Sequence, residues 1–145
     1  MMNDYKIFKK LSPTDTGENG CHQAGILIQK EDRILNFFPS LDKKIKNPRK
    51  SINFKDDSGK VWNFNFIYYN SKFFSGTRNE YRLTGTTGYM KQNNLKSGNT
   101  IFLTRKSDGL YFISCKKIIE PSENLKEDSK VLKCGNKWRV VSIKS

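Results

Sequence analysis

Arg78, Glu80 and Arg82 stand at alternate positions in the run Phe73-Phe74-Ser75-Gly76-Thr77-Arg78-Asn79-Glu80-Tyr81-Arg82. On an extended backbone, side chains at i, i+2 and i+4 leave from one face, so these three charged groups point the same way. A guanidinium fork matches the O6/N7 acceptor pair of guanine, and a carboxylate accepts from the N4 amine of cytosine. Both halves of a G·C pair can therefore be addressed from this stretch, with Asn79 as a further base-contact candidate between them. The acid is the informative member, because a surface that only gripped phosphates would gain nothing from it. The competing reading is an Arg–Glu pair on an exposed strand, worth about 0–1 kcal/mol. These ten residues alone leave both readings open.

A second polar stretch, Ser12-Pro13-Thr14-Asp15-Thr16-Gly17-Glu18-Asn19-Gly20-Cys21-His22-Gln23, is long for a simple connection and rich in hydroxyls and amides. Stretches 12–23 and 71–85 read as two arms that straddle a duplex and meet one major groove, about 12 Å wide, from two sides. Lys9, Lys10, Lys30 and Lys72 lie around them as phosphate contacts, which contribute affinity without sequence information. Ser12, Thr16, Asn19, Gln23, Thr77 and Tyr81 are further backbone-contact candidates. His22, the one histidine of the chain, is either a donor to a base edge or phosphate or a buried structural residue.

The elements that must hold these arms are mostly strands. Residues 4–11 and 24–28 read as strands, 31–38 as a helix stopped by Pro39, and 43–50 as a basic, largely solvated loop. Strands 51–55 and 60–70 flank the turn cluster Asp56-Asp57-Ser58-Gly59, and Trp62, Phe64, Phe66 and Tyr68 alternate as in a half-buried strand. Residues 89–95 form a short helix, 100–105 and 110–117 a second hairpin, 121–130 a charged loop and 137–144 a last strand. Six or seven short strands joined by hairpins, with two short helices, give a mainly β fold in an antiparallel, barrel-like sheet.

The totals agree with one domain over residues 1–145: apolar residues are 35% of the chain, and ten Phe, six Tyr and two Trp supply a core. Lys and Arg number 27 against 14 acids, a net charge of +13 that calls for a polyanionic partner, nucleic acid before an anionic membrane. No run reaches the roughly 18 apolar residues of a membrane span, and the first residues lack the apolar core of a secretory signal, so the expected location is the cytoplasm. Cys21, Cys115 and Cys134 have neither the number nor the spacing of a disulfide framework or zinc site. Catalytic signatures are weak: the chain has no phosphate-binding glycine loop and no nucleophile context around His22. Asp56, Asp57 and Lys60 could form the carboxylate–lysine set of a small metal-dependent nuclease, although Asp, Ser and Gly are expected at a hairpin tip for turn reasons alone. A non-specific single-stranded nucleic-acid binder, stacking bases on exposed aromatics, is the other alternative.

Lys10-Leu11-Ser12 with Asp15-Thr16-Gly17, followed by Gly20-Cys21-His22-Gln23-Ala24-Gly25, resembles the first arm of the N-terminal effector domain of EcoRII-type restriction endonucleases. Tyr68-Tyr69-Asn70-Ser71, Phe74, Thr77-Arg78-Asn79-Glu80 and Arg82-Leu83-Thr84 resemble its second arm. The resemblance covers roughly residues 6–85. It implies a seven-stranded open pseudobarrel like that of the plant B-three transcription-factor domain, reading a CCWGG-like site in double-stranded DNA through the major groove. His22 matches a DNA-contacting histidine of the family, and Arg78, Glu80 and Arg82 match its second-arm base and phosphate contacts. The family pattern has an aromatic at Leu27 and lysines at Gly76 and Tyr81, so some contacts are made differently here. No catalytic core accompanies the arms. The resemblance thus implies a recognition module without cofactor, whose nuclease domain, using Mg2+, lies elsewhere in a parent chain or in a partner subunit.

Overall fold

The computed structural model describes residues 4–17, 25–117 and 137–141. The described residues form eight strands: β1 (Tyr5–Lys10), β2 (Ile26–Ile28), β3 (Arg49–Lys55), β4 (Val61–Tyr69), β5 (Glu80–Thr84), β6 (Thr100–Arg105), β7 (Tyr111–Lys116) and β8 (Arg139–Val140). Three short helices accompany them: α1 (Pro13–Thr16), α2 (Asp32–Leu35) and α3 (Thr87–Gln92). All the strands join one sheet in the order β2-β5-β4-β3-β7-β6-β1-β8.

The two predicted hairpins are present, β3–β4 around Asp56–Gly59 and β6–β7 around Ser107–Gly109. Asp56 explains the first turn: its Oδ1 accepts from the Ser58 and Lys60 amides at 2.9 and 3.0 Å, and its Oδ2 accepts from Trp62 Nε1 at 2.8 Å. The two hairpins meet through a parallel contact, Phe54 with Tyr111 and Lys55 with Phe112, where a purely antiparallel sheet was expected. The strand count is eight rather than seven, because Glu80–Thr84, expected within the second arm, forms a strand of its own against β4, while the last predicted strand contributes Arg139–Val140 against β1. Residues 121–130 and 142–144 lie outside the described residues.

Local chemistry also adds a helix. Within stretch 12–23, Ser12 Oγ accepts from the Asp15 amide while the Asp15 carboxylate accepts from the Ser12 amide, a capping box that closes α1. Pro13 stands in its first turn, and Gly17 ends it at φ 85°. The helix expected over 31–38 keeps α-geometry only at Asp32–Leu35 and runs on through i to i−3 bonds at Phe37 and Phe38. Its reward is packing: Ile34, Phe37 and Phe38 are buried.

The curled sheet wraps an aromatic core. Phe38 stacks on Phe66 at 4.4 Å, Phe66 on Tyr81 at 5.6 Å and Tyr81 on Tyr68 at 4.2 Å, a continuous pile of rings beneath β4 and β5. Burial of each large ring contributes about 1.5–3 kcal/mol, and this pile fixes which face of β5 turns outward.

Candidate nucleic-acid interface

Tyr81 and Leu83 of β5 are buried, so the alternate residues Glu80 and Arg82 face the other way. β2 pairs antiparallel with β5, Ile26 with Leu83, Leu27 with Arg82 and Ile28 with Tyr81. Leu27, 45% exposed, therefore sits beside Arg82 on the same outward face. The register also sets where the polar stretches attach. Gly25, at the end of the first, meets β5 near Leu83 and Thr84. The second enters at the opposite end, where Lys30 Nζ donates to the Asn79 carbonyl at 3.2 Å. The β2–β5 ladder is thus a short floor, about 10 Å long at 3.3 Å per residue, which the chain enters from the first polar stretch at one end and from the second at the other.

On this floor Glu80 Oε2 accepts from Arg78 Nη2 at 2.6 Å and from Arg82 Nε at 2.8 Å. Both bonds fall on one oxygen, leaving Oε1 without a bond among the described residues. Burial raises the Glu80 pKa, but the bonds and charges of the two arginines outweigh it, so the carboxyl titrates below its ordinary range. The Arg78 guanidinium lies 3.9 Å over the Tyr69 ring and its side chain is 48% exposed, whereas Arg82 is 18% exposed and reaches back to the Gly25 carbonyl at 3.4 Å. Arg78 is presented; Arg82 is held.

The loop that delivers Arg78 is braced from below. Ser71–Phe74 forms a single 3-10 turn, Ser75 takes φ 70°, and the Arg78 amide and carbonyl bond back to Ser71 Oγ at 3.0 Å and the Lys72 amide at 2.8 Å. Gly76 is needed for close approach, since a Cβ there would sit 2.6 Å from the Ser71 side chain. Lys72 and Thr77 are exposed, as a backbone contact requires.

Three expectations change. Tyr81, a candidate phosphate contact, is 6% exposed, its ring stacked within the core, because it occupies the inward parity of β5. Asn79 turns its Oδ1 to the Tyr68 hydroxyl at 2.6 Å and braces the loop rather than standing beside the arginines. Lys9, expected on phosphate, is 4% exposed and ion-paired with Asp15 at 2.6 Å. Burial lowers the Lys9 pKa, Asp15 raises it in part, and the charge of Arg82 lowers it again.

Of the first stretch, Ser12 is engaged as the α1 cap and Thr16 Oγ1 donates to the Pro13 carbonyl at 3.2 Å. Lys10 is partly exposed at the end of β1. His22, Asn19, Gln23 and Cys21 lie outside the described residues, as does Cys134. The nuclease alternative loses its geometry: Asp56 is spent on its turn, and the Lys60 ammonium sits over Trp62 at 4.1 Å and donates to Gln92 Oε1. The Trp62 bond, opposed by burial and helped by Ser58 and Lys60, holds Asp56 at a pKa of about 2. Sequence reasoning noted Leu27 only as a departure from the family pattern and gave Tyr69 no role of its own, although the strand alternation that turns Tyr68 inward turns Tyr69 outward.

A family model described as restriction endonuclease EcoRII, N-terminal, matches residues 2–134. An AP2/ERF and B3 domain-containing protein of Oryza sativa subsp. japonica is 39% identical over 70 residues, 46% of this chain and 18% of that protein. The type II restriction enzyme EcoRII of Escherichia coli is 34% identical over 90 residues, 57% of this chain and 21% of that enzyme. The chain spans about a fifth to a quarter of the length of such curated relatives. Among solved structures, the Arabidopsis FUS3–DNA complex aligns with a TM-score of 0.61 at 20% identity, over 77% of this chain and 96% of that one. The B3 domain of the UbaLAI restriction endonuclease, solved with cognate DNA, aligns with a TM-score of 0.60 at 18% identity, over 99% of this chain and 89% of that one. The fold is therefore that of B3 domains.

Proposed function

The chain belongs to the family of EcoRII restriction-endonuclease N-terminal domains, and from that premise we propose that it is a duplex-DNA recognition module, the effector or targeting part of a type II restriction endonuclease. The observation that carries the reading is the Arg78–Glu80–Arg82 ladder, turned outward on a floor with a polar stretch at each end. Relatives of the same fold solved with DNA support it. Arg78 offers its fork to a guanine edge, and the open Oε1 of Glu80 accepts from a cytosine amine. Arg82 holds Glu80 in place from behind. His22 joins them from the first arm, and Lys10, Lys30, Lys72 and Thr77 dock phosphates. The site is short and G/C-rich, CCWGG-like. Cleavage belongs to a Mg2+-using domain outside this chain.

The test is competition between a duplex carrying CCWGG and a scrambled duplex, with a single strand as third competitor. Arg78→Ala removes one bidentate contact, worth about 1–3 kcal/mol, so discrimination between the duplexes falls by about 5- to 150-fold. Unchanged selectivity in that variant would refute the assignment of the second arm. Preferential competition by the single strand would favour base stacking on Phe73 and Phe74, which are 64% and 37% exposed.

A further inference from the structure

Asn70 is a buried polar residue, 1% exposed, at the root of the second arm. A buried amide is costly unless its bonds are met, and here one loop engages both ends of the side chain. Asn70 Oδ1 accepts from the Asn47 amide at 2.7 Å, Nδ2 donates to the Ile45 carbonyl at 3.0 Å, and the Asn70 amide donates to Asn47 Oδ1 at 3.3 Å. The Pro48 carbonyl, at the loop's exit, accepts from the Tyr68 amide at 3.0 Å. Asn47 takes φ 52° to allow this. The residue that begins the second arm therefore also fixes the conformation of the loop 42–48.

That loop exposes Lys43, Lys44 and Lys46, and none of them has an ion-pair partner among the described residues. Its place relative to the arm is set by the Asn47 and Ile45 bonds to Asn70 and by the Pro48 bond to Tyr68, the residue whose hydroxyl holds Asn79. Lys30, reaching the Asn79 carbonyl, flanks the same root from the β2 side. We infer that the loop 42–48 is a third DNA-contacting element, a track for phosphates that continues past the second arm along one strand, with Asn70 as its positioning residue. The inference rests on the duplex-DNA reading above. The partner is the sugar–phosphate backbone, because three lysines carry charge without base-reading geometry. It extends the footprint beyond the bases read and adds no sequence preference of its own.

The experiment measures Kd against salt, from about 50 to 200 mM, for the full chain on CCWGG and scrambled duplexes of about 30 bp. The wild type is expected to give a log–log slope of about −4 to −6. In K43Q/K44Q/K46Q the slope becomes shallower by about 2–3, at roughly 0.9 per phosphate contact, on both duplexes, while the ratio of the two affinities is kept. A control triple, K55Q/K60Q/K91Q, removes equal charge at the far end of the β3–β4 hairpin and leaves the slope nearly as it was. Asn70→Ala weakens binding with no change of charge, and if it fails to fold the lysine triple decides alone. An unchanged slope in K43Q/K44Q/K46Q, or an equal loss in the control, overturns the inference while the recognition reading stands. Absence of salt-dependent duplex binding by the wild type would sink the reading itself.

Discussion

An acid held between two guanidiniums repels the phosphates that a basic protein must approach, so its presence needs a compensating use. Glu80 is kept ionised by its arginine bonds against the effect of burial, which makes it an acceptor and nothing else. A guanine or thymine edge cannot donate to it in the major groove, whereas the amines of cytosine and adenine can. Glu80→Gln keeps the shape, adds a donor and removes the charge. Readout and docking then move in opposite directions: selectivity at one base pair relaxes by about 1–3 kcal/mol, while affinity for scrambled duplex rises or holds because a repelling charge is gone. Gel-shift titration of both duplexes measures this. A parallel loss on both would mean that Glu80 only scaffolds the arginines.

At the scale of elements, the foot of the first arm depends on a buried ion pair. Lys9 at the end of β1 bonds Asp15 in α1, with side-chain exposures of 6% and 4%. The same carboxylate closes the α1 capping box through the Ser12 amide. Asp15→Ala leaves a buried ammonium uncompensated, a loss of about 3–5 kcal/mol, and Lys9→Met in addition restores most of it. The sign with pH follows. Burial already lowers the Lys9 pKa, and without Asp15 it falls further, so the unfolded chain binds more protons and the variant gains stability as pH rises toward 10. Urea unfolding at neutral and alkaline pH checks both points. None of this pair was legible in the sequence, where Lys9 and Lys10 look alike and only the β1 parity, set by pairing with β6, sends one inward. Helix α1 was missed because four residues give no period to read, although Ser12 and Asp15 carry its capping signal. Turn chemistry and alternation, by contrast, made both hairpins readable, and the 78–80–82 spacing placed the charged ladder on one face. The parallel contact of β3 with β7 joins residues far apart in sequence and leaves no local mark.

For the whole molecule the question is what closes the barrel, since β2 and β8 are the two ends of the sheet order. Among the described residues no backbone ladder joins them. Instead the Gln29 carboxamide stands in for a strand residue: Nε2 donates to the Trp138 carbonyl at 2.6 Å and Oε1 accepts from the Trp138 amide at 3.0 Å. Trp138 itself is 1% exposed and returns Nε1 to the Leu27 carbonyl at 3.0 Å. The floor of the recognition face is therefore held by β5 on one side and by this seam on the other. Gln29→Ala strands the Trp138 amide and carbonyl, at a cost of about 2–6 kcal/mol for two unsatisfied groups. Gln29→Glu can still accept from the amide, but when ionised it cannot donate to the carbonyl, so it repairs only half of the loss. Local opening at the seam precedes global unfolding: amide exchange of residues 26–28 accelerates while the β3–β4 hairpin stays protected. DNA affinity falls with β2 because Leu27 and the exit of the first arm ride on it. Full protection of 26–28 in Gln29→Ala would show that β5 alone holds the floor and that the seam contributes only shape.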